Sequence, residues 1–180
     1  MHYIIFDLEA TCWENQMLNR EQEIIEIGAV KYTRFGETLG QYQTFIRPTE
    51  YPSLSNYCTR LTGIDQDDVQ NAPTFGNVIG EFLHWAEEDG IPLAYCAWGK
   101  YDRELLLYEC ERLGLEDEWL EPYLNLKQQY RELNRIPGRV GLKSALNRER
   151  IEFTGQHHRA LDDAINLGKI FEKYIDSWMI

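Results

Sequence analysis

The sequence predicts a three-layer domain of the α/β or α+β class, with a central sheet between helices. Three observations carry this expectation: an N-terminal set of β-type segments joined by short connections, a continuously apolar segment at 91–98, and helical periodicity on either side of that segment. Residues 2–8 and 24–33 (IIEIGAVKYT) read as strands, and residues 41–46 (QYQTFI), stopping short of Pro48, read as a third. The two short connections predict an antiparallel meander. After LTGI at 61–64, residues 74–87 carry apolar side chains at helical spacing: Phe75, Val78, Ile79, Phe82 and Ala86. The run IPLAYCAW at 91–98 fits a strand buried on both faces. Gly99 then precedes a helix over about 101–113, and the closing helix spans about 160–177. No internal repeat, low-complexity tract or linker is present, so residues 1–180 are expected to form a single domain.

Composition narrows the function. With 180 residues, 43% of them hydrophobic, the chain can bury one good core. No stretch approaches the roughly 18 apolar residues of a membrane helix, and no basic region precedes a long apolar run at the N-terminus. A soluble, cytoplasmic protein without a membrane partner is expected. Cys12, Cys58, Cys96 and Cys110 show neither CxxC pairing nor zinc-finger spacing, and read as reduced, mostly buried thiols. The net charge of −12 argues against a general nucleic-acid coat protein. Charge is segregated, however: between Lys127 and Arg150 seven basic residues face two acidic ones, a net of +5 on an otherwise acidic chain. Such a stretch can hold a polyanion locally, or be an ordinary solvated face.

The acids are the informative residues. In YIIFDLEATCW (3–13), Asp7 and Glu9 are two apart on a strand and so share one side, where like charges repel unless a cation, a shared proton or solvent relieves them. Fraying of the strand end into water is the ordinary alternative. In the closing helix, Asp163 leads the stripe Asp163, Leu167, Ile170, Tyr174, apolar after its first member. Asp162 leads Asp162, Asn166, Lys169, Lys173, which is polar throughout. Asp163 is therefore expected at the buried edge and Asp162 in solvent. In WGKYDRELL, Asp102 opens a helix directly after the buried strand. Four carboxylates at the ends of buried elements can be packed together, and such a cluster needs a divalent metal, Mg²⁺ or Mn²⁺, of the kind that paired sites use for phosphoryl transfer. His158 stands five residues before Asp163, and a histidine beside a metal site can take a proton from water near neutral pH. His157 competes for that role.

The ordered set DLEAT (7–11), EIIEIGAV (23–30), WGKYD (98–102) and HRALDDA (158–164) resembles the DEDDh, ribonuclease T-like 3'-5' exonucleases over nearly the whole chain. The resemblance implies a ribonuclease H-like fold with a central mixed β-sheet flanked by helices. The details EATCW, LTGI (61–64), NAPTF (71–75) and AWGKYD resemble the branch of histone-mRNA 3'-end and RNA-interference exonucleases with their bacterial relatives, which act mostly on RNA. Eukaryotic members often carry an additional RNA-binding domain, for which 180 residues leave no room. The resemblance further implies two metal ions per active site: Asp7 bridging both, Glu9 and Asp163 completing one, and Asp102 belonging to the other. The histidine spacing of the family selects His158 as general base. Glu26 becomes an outer support of the site rather than a ligand. The terminal nucleotide is expected against the backbone at Ala10 and Thr11, with Leu61, Thr62 and Trp98 beside it, although Leu61 and Trp98 equally suit core packing.

The implied reaction is hydrolysis from the 3' end of single-stranded RNA or DNA: water, deprotonated by His158, attacks the last phosphodiester and a nucleoside 5'-monophosphate leaves. Arg139, Lys143 and Arg159 are the expected contacts to the upstream backbone. Protein partners are not indicated, and no motif separates RNA from DNA. Two other readings start from the same residues. A haloacid-dehalogenase-type phosphatase would use Asp7 as nucleophile, but usually has Asp at the second acid position, where this chain has Glu9, and has no use for the histidine. A non-catalytic binding module would keep the fold without needing the five filled positions.

Overall fold

The structure, a computed structural model, describes residues 1–14 and 21–180. Among them, β1 (His2–Ala10), β2 (Ile24–Thr33) and β3 (Thr38–Phe45) form the expected antiparallel meander. Next come α1 (Asn56–Thr62), α2 (Gln66–Gln70), α3 (Phe75–Glu87), β4 (Leu93–Ala97), α4 (Tyr101–Leu113), β5 (Tyr123–Asn125), α5 (Leu126–Leu133), α6 (Leu142–Glu149) and α7 (Ala160–Lys173). The sheet order is β3-β2-β1-β4-β5, with β4 parallel to both β1 and β5. This mixed five-stranded sheet with helices on its faces is the ribonuclease H-like arrangement expected.

Alternation along β1 sorts its residues between two cores. Ile4, Phe6 and Leu8 pack against Phe75, Val78 and Phe82 of α3 and Leu105 and Leu106 of α4. Ile5 faces the other way, with Val30 and Tyr32 of β2 and Cys96 of β4, against Ala145 and Leu146 of α6 and Leu167, Ile170 and Phe171 of α7. Both faces are covered, which explains why β1, β2 and β4 read as nearly continuous apolar runs. Asp7 and Glu9 continue the α7-facing side of β1.

Several expectations are corrected. The closing helix stops at Lys173, followed by a 3-10 turn at Ile175–Ser177. Strand β4 is shorter than 91–98, because Ile91 is exposed and Pro92 cannot donate to a ladder. Asp162, expected in solvent, is half-buried, and its stripe mate Asn166 is fully buried, donating to the carbonyls of Thr154 and Asp162 and accepting the Thr154 N–H. The segment before α7 folds back over that stripe, and Asp162 accepts the Gln156 N–H there (2.8 Å).

Helix α7 reaches β2 through two glycines. A Cβ on Gly28 would lie 2.0 Å from the Leu161 nitrogen and 2.2 Å from the Ala160 carbonyl carbon, and one on Gly168 would lie 2.1 Å from the Tyr32 hydroxyl. Gly28 is the cross-strand partner of Asp7. The first turn of α7 thus rests on bare backbone directly beside the β1 acids. Gly28→Ala forces backbone against backbone, with an expected cost of at least about 1–3 kcal/mol, or roughly 2–4 °C in the unfolding midpoint per kcal/mol for a domain of this size. Gly80→Ala in α3, where an added Cβ meets nothing within 4 Å, is expected to hold or raise the midpoint. Thermal unfolding of the two variants checks this, and equal midpoints would contradict it.

Candidate active site

The acids collect where β1 ends. Asp7 and Glu9 face α7, and Asp163, in the first turn of α7, meets them: carboxylate oxygens of Asp7, Glu9 and Asp163 all lie within 4.8 Å of one another. Glu9 and Asp163 are buried and Asp7 is half-buried. Asp102 approaches from the opposite layer. It is 6% exposed in the first turn of α4, its carboxylate accepts the Leu8 N–H, and its charge acts on Asp7, although it stays outside the 4.8 Å group. Since β1 and β4 are parallel, their C-terminal ends open on the same edge, the usual position for a site in such sheets.

Burial and mutual repulsion set the protonation of these groups. Burial raises the Asp7 carboxyl well above its ordinary value, and the charges of Asp102, Asp163, Glu9 and Glu26 raise it further. Burial, with Asp163 and Glu26, pushes Glu9 up to about 8. Burial pushes Asp102 up to about 7, opposed by backbone N–H groups and by Lys127. Among the described residues, neither the Asp7 nor the Glu9 side chain has a hydrogen-bond or ion-pair partner, so nothing among those residues compensates this charge directly. A donor set made only of carboxylate oxygens suits a hard divalent cation.

Around Asp163 the two histidines divide the work. The His157 Nδ1 lies 2.9 Å from Asp163 Oδ1, and the His158 backbone N–H donates to Oδ2 at 2.7 Å. The imidazoles stack with centroids 4.0 Å apart, and His158 takes a left-handed backbone with φ 63°. Burial lowers the His158 pKa, the neighbouring His157 and Lys143 lower it further, and Asp163 opposes them. Spacing had left the two histidines as competitors; both lie at Asp163.

Glu26 supports the site from outside. Fully buried, it accepts the Ala160 N–H (3.0 Å) and two bonds from Arg159 (3.0 and 3.2 Å), fastening the start of α7 to β2. Arg159, whose guanidinium also lies over the Phe45 ring, is therefore engaged with Glu26 instead of standing free for a phosphate. Arg139 and Lys143 are exposed. Of the expected nucleotide contacts, Ala10 and Thr11 are buried, with the Thr11 hydroxyl accepting the Glu23 N–H. The Thr62 hydroxyl is held by the Cys58 carbonyl and the Ile64 N–H. Leu61 is half-buried. Trp98, also half-buried, donates to the Val140 carbonyl and packs on Tyr130.

Two further residues stand near the acids. Tyr101, 48% exposed beside Asp102, donates through its hydroxyl to Gln22, which in turn donates to the Thr11 carbonyl. Lys127, whose Cδ would lie 3.6 Å from a Cβ on Gly99, supplies the positive charge felt by Asp102. The +5 stretch was the available signal for Lys127; Tyr101 had none apart from its place in WGKYD.

A family model described as exonuclease, of the RNase T type, matches residues 4–171. The chain belongs to this exonuclease family. It is 35% identical over 192 aligned positions to ERI1 exoribonuclease 2 of Danio rerio, covering 94% of this chain and 34% of that protein. It is 28% identical to the 3'-5' exonuclease eri1 of Schizosaccharomyces pombe, covering 96% and 67%. The chain thus spans about a third of the length of the zebrafish relative. Among solved structures, the nuclease domain of 3'hExo, a DEDDh family member bound to rAMP, superposes with a TM-score of 0.92 at 26% identity, covering 97% of this chain and 92% of that one. A 3'-exonuclease solved for 3'-end-specific recognition of a histone mRNA stem-loop gives a TM-score of 0.92 at 25% identity, over 97% and 81%. Family membership removes the phosphatase reading.

Stability of the metal-free protein follows from the raised carboxyls. Folded Glu9 keeps its proton up to about 8, whereas an ordinary glutamate releases it near 4.5. Between these values the folded chain holds a proton that the unfolded chain has lost. This stabilisation is complete below the unfolded value and disappears as pH rises through the folded one. A divalent cation prefers the ionised carboxylates. The rise in unfolding midpoint on replacing EDTA by Mn²⁺ is therefore expected to be larger near pH 8 than near pH 5; equal increments would contradict the assignment.

Proposed function

We propose that residues 1–180 act as one exonuclease domain that removes nucleotides from the 3' end of single-stranded nucleic acid, RNA in preference to DNA, with two Mg²⁺ or Mn²⁺ ions. The observation that carries this reading is the convergence of Asp7, Glu9 and Asp163, whose carboxylate oxygens lie within 4.8 Å of one another, in a chain of the exonuclease family. The preference for RNA is supported by the relatives named exoribonucleases and by the similar nuclease domain bound to rAMP. Four free cysteines favour a reducing compartment, and we assign the protein to the cytoplasm. No helix among the described residues is long and apolar enough to cross a membrane.

Asp7, Glu9 and Asp163 would hold one cation, and Asp7 with Asp102 the other. When bound, such ions polarise the phosphoryl group, lower the pKa of the attacking water and neutralise the leaving oxygen. His158 accepts the proton from that water. Its lowered pKa keeps the imidazole neutral, and so basic, at neutral pH. His157 orients Asp163, and Glu26 with Arg159 holds the α7 turn that carries it. The backbone at Ala10 and Thr11 seats the terminal nucleotide, with Leu61 and Trp98 lining its base and the buried Thr62 bracing the end of α1 behind Leu61. Arg139 and Lys143 meet the upstream phosphates, and a nucleoside 5'-monophosphate leaves.

The test uses 5'-labelled single-stranded RNA and DNA of one sequence with Mg²⁺, Mn²⁺ or EDTA. A ladder shortening from the 3' end is expected, faster on RNA and abolished by EDTA. His158→Ala is expected to slow cleavage about a hundred- to ten-thousand-fold, the usual worth of a general base, and His157→Ala to slow it less. Replacing Arg139 and Lys143 together by glutamine should flatten the salt dependence. Intact polymers under every metal condition would refute the proposal, and faster loss of DNA would reverse the substrate preference.

A further inference from the structure

Two thiols outside the carboxylate group meet at its edge. Cys12 follows Ala10 and Thr11 at the end of β1, and Cys58 lies in α1, the helix that also carries Leu61 and Thr62. Ser55 joins their backbones: its hydroxyl donates to the Cys12 carbonyl at 2.6 Å and accepts the Cys58 N–H at 3.0 Å. Cys12 packs against the cluster that holds Cys58, each thiol acts on the other, and the Cys58 thiol donates to the Ala10 carbonyl at 3.6 Å. Ile25, Ile64 and Val69 pack around Cys58, which is fully buried, and Cys12 closes this cluster from its half-buried position. Cys96 and Cys110 are buried in the two other cores.

We infer that Cys12 and Cys58 form a reversible disulfide that switches off the neighbouring site when the chain meets a peroxide. One thiol gives up its proton and the thiolate attacks a peroxide oxygen; the O–O bond breaks, leaving a sulfenic acid on that sulphur, and the hydroxide expelled from hydrogen peroxide takes up the thiol's proton as one water. The second sulphur then displaces the hydroxyl group. The S–S bond forms and its proton leaves with the hydroxyl as a second water. For hydrogen peroxide, two thiols are oxidised, one peroxide is reduced to two waters, and no other reactant is needed.

The linkage reaches cleavage through geometry. Drawing two sulphurs from non-bonded to covalent contact closes them by about an ångström or more, and it removes the thiol that donates to Ala10. The Ala10–Cys12 segment and α1 must shift toward each other, and both border the seat proposed for the terminal nucleotide. A displacement of about 1 Å at a positioned substrate can cost on the order of a hundredfold in rate. This consequence rests on the exonuclease reading; formation of the disulfide does not.

The experiment treats the reduced chain with hydrogen peroxide, alkylates the remaining thiols, and follows intact mass, linked peptides and RNA cleavage before and after dithiothreitol. The wild type is expected to lose two hydrogens, yield a Cys12–Cys58 linked peptide, slow at least about tenfold and recover in reductant. Cys12→Ala, which leaves the Cys58 thiol on the Ala10 carbonyl, should cleave like the reduced wild type and keep that rate after peroxide. Absence of the linked peptide, or a linked chain that cleaves at the reduced rate, overturns the inference. A reduced wild type that never cleaves overturns the exonuclease reading and the switch with it, while the linked peptide still decides the thiol chemistry.

Discussion

The approach of α7 to β2 at Gly28 is the contact on which the carboxylate group depends. Asp163 lies two residues beyond Leu161, whose nitrogen occupies the space a side chain at position 28 would need. Gly28 is in register with Asp7, so the same absence of a side chain that lets the helix down on the sheet places Asp163 against Asp7 and Glu9. Glu26, two residues earlier on β2 and paired with Glu9, completes the attachment through Arg159 and the Ala160 N–H. A glycine sets the distance and an ion pair sets the angle.

That attachment opposes a repulsion. Asp7, Glu9, Asp102 and Asp163 are drawn from both layers around the end of β1, and burial with like charge raises three of them far above ordinary carboxyl values. Hydrophobic packing on both faces of the sheet must hold them there, and α7 contributes Leu167, Ile170 and Phe171 to that packing on the side where Asp163 sits. Such crowding is of the kind a hard divalent cation would relieve, because the carboxylates cannot easily separate to relieve themselves.

Much of this was legible in the sequence because the periods are short and rigid. A period of two put Asp7 and Glu9 on one side of β1, and the helical phase separated buried Asp163 from its neighbour Asp162. The same phase argument placed Asp162 in solvent, where it is half-buried and accepts the Gln156 N–H, since periodicity reports a helix face and not the loop that folds over it. Thr62 and Arg159 carry groups suited to a ligand, yet the fold spends them on the Cys58 and Ile64 backbone and on Glu26, partners distant or invisible in a one-dimensional pattern. Gly28 drew no notice because a glycine inside a strand acquires meaning only when the element crossing it is known. The short segments β5, α1, α2, α5 and α6 carry too few turns or alternations to stand out.

The central claim, that this geometry exists to hold divalent cations, is tested most directly by calorimetric titration of Mn²⁺ into the metal-free chain and into Asp7→Asn. The account predicts saturable binding of two ions by the wild type, and loss of both by a variant that keeps its fold by circular dichroism, since the proposal shares Asp7 between the two sites. Unchanged Mn²⁺ binding by Asp7→Asn, or no binding by the wild type, would contradict it.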